Sequence, residues 1–280
     1  MCENHEYSSS IKLKNISNKY FKIPASIILN QDINEKRAIV FSFLMIRRGL
    51  DDKVHFTINE IVKWIGQKPN RCTNGINNKL LQTIESLEET GCTSFSNIES
   101  SYIEAIIDFD KLNQEIDTER FAVIYLDEVD TILNHPTPKD AYFNNDVILL
   151  VFAYLRMKIY RRRNKLMPEE INLDNKNNHE YDIESRRKRC PEVYDCYYFE
   201  IANDLGISAR TVSKAVSTLN ELGLIYSEAL PRIKYEDKWR TDHTLFCNTY
   251  KREKDCLLDS GKDYYMREVA NKKKKLNINT

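Results

Sequence analysis

Glycine and proline are scarce in this chain, seven of each in 280 residues, and that scarcity works against two large classes. A glycine-rich nucleotide fold needs close backbone approaches, and a many-stranded β domain needs frequent tight turns. Long apolar runs are missing as well. The longest, Val147 to Leu155, has nine residues, about half of the roughly 20 that span a bilayer. The seven cysteines (positions 2, 72, 92, 190, 196, 247 and 256) are odd in number and contain no CxxC pair. They read as reduced thiols of a cytosolic protein, not as a disulfide framework. The opening MCENHEYSSS is polar and acidic, which is not the pattern of a secretion signal. The expectation is a soluble, cytoplasmic protein with no membrane partner.

Net charge is also lacking, since 42 basic and 42 acidic residues cancel. The two halves do not balance separately. Residues 1–140 hold 16 Lys and Arg against 21 Asp and Glu, a net of −5, whereas residues 141–280 hold 26 against 21, a net of +5. Attraction to a polyanion comes from Lys and Arg displacing its counterions, so the C-terminal half is the one suited to it.

The signatures of catalysis are absent. No GxxxxGK[ST], GxSxG or HExxH occurs, and each is the minimum its chemistry requires. The run from Phe121 to Asp127-Glu128 resembles a Walker B strand. Without a phosphate loop it reads as a strand followed by a helix capped at Asp127, whose acids suit a helix N-terminus. His179, Cys190 and Cys196 lie in one polar stretch, but with ten and five residues between them and no fourth ligand nearby they do not match structural zinc spacing. Tyr160 before three arginines lacks the context of a tyrosine recombinase. A non-enzyme without cofactor or metal is expected.

What the chain does contain is concentrated in residues 200–225, EIANDLGISARTVSKAVSTLNELGLI. Ile201, Ala202 and Leu205 give a first helix one apolar face, and Gly206 suits its left-handed cap. Ser208 offers a hydroxyl to the next helix's first amides. There, Val212, Ala215, Val216, Leu219 and Leu222 fall on the stripe of a half-buried helix. Ser208, Arg210, Thr211, Ser213, Lys214 and Ser217 remain to meet base edges and phosphates in a major groove. Gly223 closes the helix, and Leu224-Ile225-Tyr226 begins a strand.

The same order occurs earlier. EKRAIVFSFLMIRR (35–48), VHFTINEIVKWIG (54–66) and NNKLLQTIESLEETG (77–91) parallel DVILLVFAYLRMKIYRRR (146–163), YYFEIANDLG (197–206) and ARTVSKAVSTLNELG (209–223). Superposing Gly91 on Gly223 sets Leu80, Ile84 and Leu87 on Val212, Val216 and Leu219, and Asn78 and Gln82 on Arg210 and Lys214. The first copy has 25 residues from Gly66 to Gly91 against 17 from Gly206 to Gly223. The extra eight form a loop punctuated by Pro69 and Gly75. Arg71, Asn74, Asn78, Lys79 and Gln82 are its candidate contacts. Glu85, Glu88 and Glu89, which phosphate repels, mark it as the weaker reader. Further candidates in the second copy are Arg232, Lys234, Lys238 and Arg240 in its β turn, and Arg161, Arg162 and Arg163 ahead of a polar insertion.

The segment 200–225 resembles the winged helix-turn-helix superfamily. Its SxRTVxKAxxxLxELGLI form is similar to bacterial regulators and to plasmid or phage replication proteins. The tandem layout, with Tyr20-Phe-Lys-Ile-Pro24 through Ile39–Arg48 as its opening, resembles replication initiators and replisome organisers of Gram-positive bacteria. That resemblance implies binding of double-stranded DNA at origin repeats, and recruitment of host replication proteins, a helicase or its loader, by the N-terminal copy. The expected fold class is mainly α with small β wings (α+β), as two tandem winged-helix domains. The expected divisions are a disordered 1–18, a first domain 19–112, a second domain 113–255 with a mobile insertion 164–195, and a C-terminal helix or basic tail 256–280. A transcriptional regulator and, from another class, a protein-interaction scaffold are the competing readings. The oligomeric state stays open, a homodimer included.

Overall fold

The computed structural model describes residues 20–49, 51–98, 102–118, 120–136, 144–159, 193–229, 233–235, 238–240 and 243–248. The expected disordered N-terminus, most of the insertion 164–195, and the C-terminal segment 256–280 lie outside the described residues. The chain is a mixed α and β protein with small antiparallel sheets.

Its centre is a pair of helices that are apolar nearly all round, a composition that only a buried helix carries. They are α2 (Arg37–Arg47) and α7 (Asn145–Lys158), and they pack against each other. Each is preceded by a strand and a short helix: β1 (Tyr20–Pro24) and α1 (Ala25–Ile28) before α2, β5 (Phe121–Tyr125) and α6 (Leu126–Leu133) before α7. β1 and β5 pair antiparallel, with Tyr20 opposite Tyr125 and Pro24 opposite Phe121.

After each central helix the same path is traced twice. In the first unit it runs through β2 (Lys53–Phe56), α3 (Ile58–Trp64), α4 (Ile76–Glu89), β3 (Thr93–Ser96) and β4 (Ile103–Ile107). The second unit follows with β6 (Val193–Tyr197), α8 (Tyr198–Leu205), α9 (Ala209–Glu221) and β7 (Ile225–Ala229). It then adds a hairpin of β8 (Ile233–Tyr235) and β9 (Lys238–Arg240) before β10 (His243–Asn248). Strand orders are β2-β4-β3 and β6-β10-β7, so in both sheets the last strand returns to lie between the other two.

Local chemistry repeats with the path. Thr57 caps α3, with its backbone N–H donating to Glu60 at 2.6 Å. At the matching position before α8, the Tyr197 N–H donates to Glu200 at 2.7 Å. Gly66 and Gly206, and Gly91 and Gly223, all have φ between 67 and 71°. A side chain resists this left-handed cap, whereas glycine accepts it. In each unit a side chain of the third helix accepts an N–H of the next strand. Asn220 accepts the Ser227 N–H at 2.9 Å, and Glu88 accepts the Phe95 N–H at 3.2 Å. Glu88 thus has a structural task as well as a charge.

One hydrophobic cluster spans both units, from Phe43, Ile61 and Leu87 to Phe152, Val216 and Phe246. The expected division at residue 112 falls inside α5 (Phe109–Thr118) and is crossed by the β1–β5 pairing. The helix expected to be capped by Asp127 starts two residues earlier, at Leu126, with Tyr125 as its cap. Glu128 accepts the Tyr125 N–H at 2.9 Å and pairs with the buried Arg156. Glu128 therefore has structural work to do. Among the described residues, no helix is long and apolar enough to cross a membrane.

Candidate nucleic-acid interface

Four of the thirteen residues in α9 are Ser or Thr, which are poor helix formers because their hydroxyls compete for the backbone. Each costs at most about 0.7 kcal/mol relative to alanine. Burying Val212, Val216 and Leu219, all at most 1% exposed, contributes about 1.5–3 kcal/mol apiece, so packing outweighs propensity. The start is held as well: the Ser208 Oγ accepts the Thr211 N–H at 3.1 Å. The Ile207 N–H donates to the Ala202 carbonyl at 3.0 Å across Gly206. The result is a helix anchored by one face, with Arg210, Ser213 and Ser217 exposed on the other and Thr211 and Lys214 half-buried at its edges. The Ser217 hydroxyl donates to Glu221 at 3.4 Å, which leaves the first two turns as the cationic part.

In α4, Leu80, Ile84 and Leu87 are fully buried and Lys79 and Gln82 exposed, as the repeat register requires. Asn78 departs from it. Its amide donates to the Cys72 and Thr73 carbonyls at 3.2 and 3.3 Å, so it holds the preceding loop and does not stand out as Arg210 does. Asn77, 6% exposed, closes the same loop. Its Oδ1 accepts the Asn70 N–H at 2.8 Å and its Nδ2 donates to Asn59 of α3 at 3.1 Å. Arg71 and Asn74 are exposed on the loop so formed.

The loop closes against Gly75, where a Cβ would lie 2.2 Å from the Asn70 carbonyl oxygen. Gly75→Ala must displace that backbone. It is expected to cost about 1–3 kcal/mol, the range for an overpacked interior, read as a lower urea midpoint. An unchanged midpoint would show that the loop yields freely.

The structure brings part of both candidate sets to one place. An open cleft of about 440 Å³ is lined by Asn74 and Lys79 from the first unit and by Ser208 and Thr211 from the second, with Lys36 and Asn144 between them. The first turns of α4 and α9 thus border a common space. Arg71, Gln82, Arg210, Ser213, Lys214 and Ser217 do not line it. In the hairpin, Lys234 stands opposite Trp239, Lys238 opposite Tyr235, and Arg240 opposite Ile233. Arg161, Arg162, Arg163 and Arg232 lie outside the described residues. Of the cysteines, Cys72 is exposed, while burial pushes the thiols of Cys92 and Cys196 up to about 12, which keeps them protonated and unreactive.

The residues that hold the two units together were not visible in the sequence pattern. Arg37, 1% exposed, spends all five of its N–H donors on backbone carbonyls. Nε and Nη2 donate to Ile28 O at 3.0 and 2.9 Å, Nη1 to Ile33 O at 2.9 Å and Asn34 O at 3.2 Å, and Nη2 also to Leu205 O at 3.2 Å. Burial lowers its pKa to about 10, so the guanidinium stays charged at neutral pH. Leu205 ends α8, one residue before the turn into α9. Beside it the Gln31 amide donates to Asn203 O, and Lys36 pairs with Asp146 in the first turn of α7. Asn34 reaches the other way: its Nδ2 donates to Lys79 O at 3.0 Å, and its Oδ1 accepts the Thr83 hydroxyl at 2.7 Å, both on α4.

No family model matches the chain, and no curated protein matches it.

Proposed function

We propose that this protein is a sequence-specific double-stranded DNA-binding protein made of two tandem winged-helix units, with the role of a plasmid- or phage-type replication initiator or replisome organiser. The observation that carries the reading is α9. It is a capped helix, buried along Val212, Ala215, Val216 and Leu219, that leaves Arg210 and Ser213 exposed on its first turns. A helix of this kind, set between a scaffold helix and a β hairpin, is how winged-helix proteins enter a major groove. The twofold occurrence of the path and of the last-strand-in-the-middle sheet order supports the tandem reading. The basic surplus of the C-terminal half supports α9 as the main contact. The replication role rests on the resemblance of layout alone.

The test is selection of bound duplex from a random library at stated salt, followed by gel shifts. Affinity is expected to fall steeply between about 50 and 200 mM salt, since phosphate contacts release counterions. Arg210→Ala is expected to lose about 1–3 kcal/mol on the selected site and to relax preference at one or two base pairs. Lys214→Ala is expected to weaken selected and random DNA alike. If neither substitution moves the curve on the selected site, α9 is not the reader. Replication of a plasmid that carries the selected site and this gene checks the role.

A further inference from the structure

We infer that the loop of residues 29–36, through Gln31 and Asn34, sets the separation between the two DNA segments read by α4 and α9. The inference rests on the DNA-binding reading above. One short stretch of chain reaches both candidate reader helices. Asn34 bonds the Lys79 carbonyl and the Thr83 hydroxyl on α4. Gln31 bonds the Asn203 carbonyl, and Arg37 at the end of the loop bonds the Leu205 carbonyl, both in the last turn of α8 that leads into α9. Arg37 also binds the loop's own Ile33 and Asn34 carbonyls, so the two arms share one rigid base.

Most of these bonds end on helix backbone. A bond to a backbone carbonyl fixes where a helix stands along its axis and how it is turned, whatever side chains it carries. Apolar contact does not do this, because it is non-directional. Moving one reader to the next base pair means a shift of about 3.4 Å along the duplex. A hydrogen bond tolerates only a few tenths of an ångström. With both arms in place the pair of helices has one separation, and the cleft bordered by Asn74, Lys79, Ser208 and Thr211 is the gap so defined. Gln31 and Asn34 are therefore positioning residues that act on DNA through the helices they hold.

The experiment uses the full chain and the double variant Gln31→Ala/Asn34→Ala. Gln31 is exposed and Asn34 half-buried, so the double variant is expected to fold, and thermal unfolding recorded alongside checks this. Duplexes are selected from a random library at fixed salt. Arg210→Ala and Gln82→Ala mark which sequence block belongs to which helix. The expected result is that the natural chain enriches two blocks at one separation, and the double variant enriches the same blocks at several neighbouring separations. Affinity for the natural separation is expected to drop about tenfold, the equivalent of one or two neutral hydrogen bonds, with no loss on DNA carrying the α9 block alone. A variant that keeps the single separation overturns the inference, as does a natural chain that enriches only one block. Equal loss on one block and on two also overturns it, since that is plain destabilisation. No enriched sequence at all with the natural chain overturns the DNA-binding reading itself. Should the double variant unfold, Asn34→Asp keeps the acceptor for Thr83 and removes the donor to Lys79, and it is read in the same way.

Discussion

Arg37→Ala is expected to lower stability by about 3–5 kcal/mol, the scale of breaking a buried charged network. The substitution removes five donors at once and strands the carbonyls of Ile28, Ile33 and Leu205, while the Asn34 carbonyl keeps the backbone N–H of residue 37 at 3.2 Å. An unpaired buried carbonyl costs about 1–3 kcal/mol, but water entering the gap recovers part of that, and such losses do not add. Arg37→Lys is expected to recover little. An ammonium has three donors around one point, whereas the guanidinium spans carbonyls on separate segments. Because Leu205 belongs to the second unit, probes in both units are expected to melt together at the lower midpoint in urea. A loss below about 1 kcal/mol, within the range of an ordinary surface change, would mean that the network is ornamental.

The second large effect is expected from Lys36, which is 2% exposed and paired with Asp146 at 1%. Lys36→Met leaves a buried carboxylate facing no cation and is expected to cost about 3–5 kcal/mol. Lys36→Met/Asp146→Leu removes both charges, and replacing a buried pair with apolar groups is often close to neutral. Asp146 also accepts the Val147 N–H at 3.0 Å and sits in the first turn of α7, where an acid is favourable. The double variant is therefore expected to lose about 1–1.5 kcal/mol, the worth of one such bond. A double-mutant cycle reads the difference as a coupling of about 2 kcal/mol or more. If the double variant loses the sum of what Lys36→Met and Asp146→Leu lose singly, the pair has no coupling and packing alone accounts for the contact.

The local grammar of this chain is legible because its causes are local. Gly206 and Gly223 adopt positive φ where a helix must stop, Ser208 caps the helix that follows it, and the 3.6-residue stripe from Val212 to Leu219 is the buried one. The same order of elements, with Gly66 matching Gly206 and Gly91 matching Gly223 as helix ends, carried the internal repeat, which the two sheet orders repeat in turn. Each of these depends on residues within about one or two helical turns, the reach of capping and periodicity rules. The Tyr125 cap, expected at Asp127, shows the limit even there, since helix ends are uncertain by a residue or two.

Which faces meet was decided by the tertiary structure alone. Arg37 looks like one more charge at the edge of an apolar helix, and its role depends on the Leu205 carbonyl 168 residues away. Asn78 occupies the register position of Arg210, yet it turns to the loop that Gly75 and Asn70 close, because the first unit has eight residues there that the second lacks. The gathering of Asn74 and Lys79 with Ser208 and Thr211 depends on α2 packing on α7 and on the loop between α1 and α2 that bonds α4 and the end of α8. Hydrophobic periodicity shows that each helix has a buried face, but burial is non-directional and does not name the partner. The sequence by itself therefore determined the elements and their repetition. The tertiary structure decided how the two repeats are locked together, because the directional part of that lock rests largely on hydrogen bonds to backbone carbonyls, a group that every residue carries and no sequence pattern singles out.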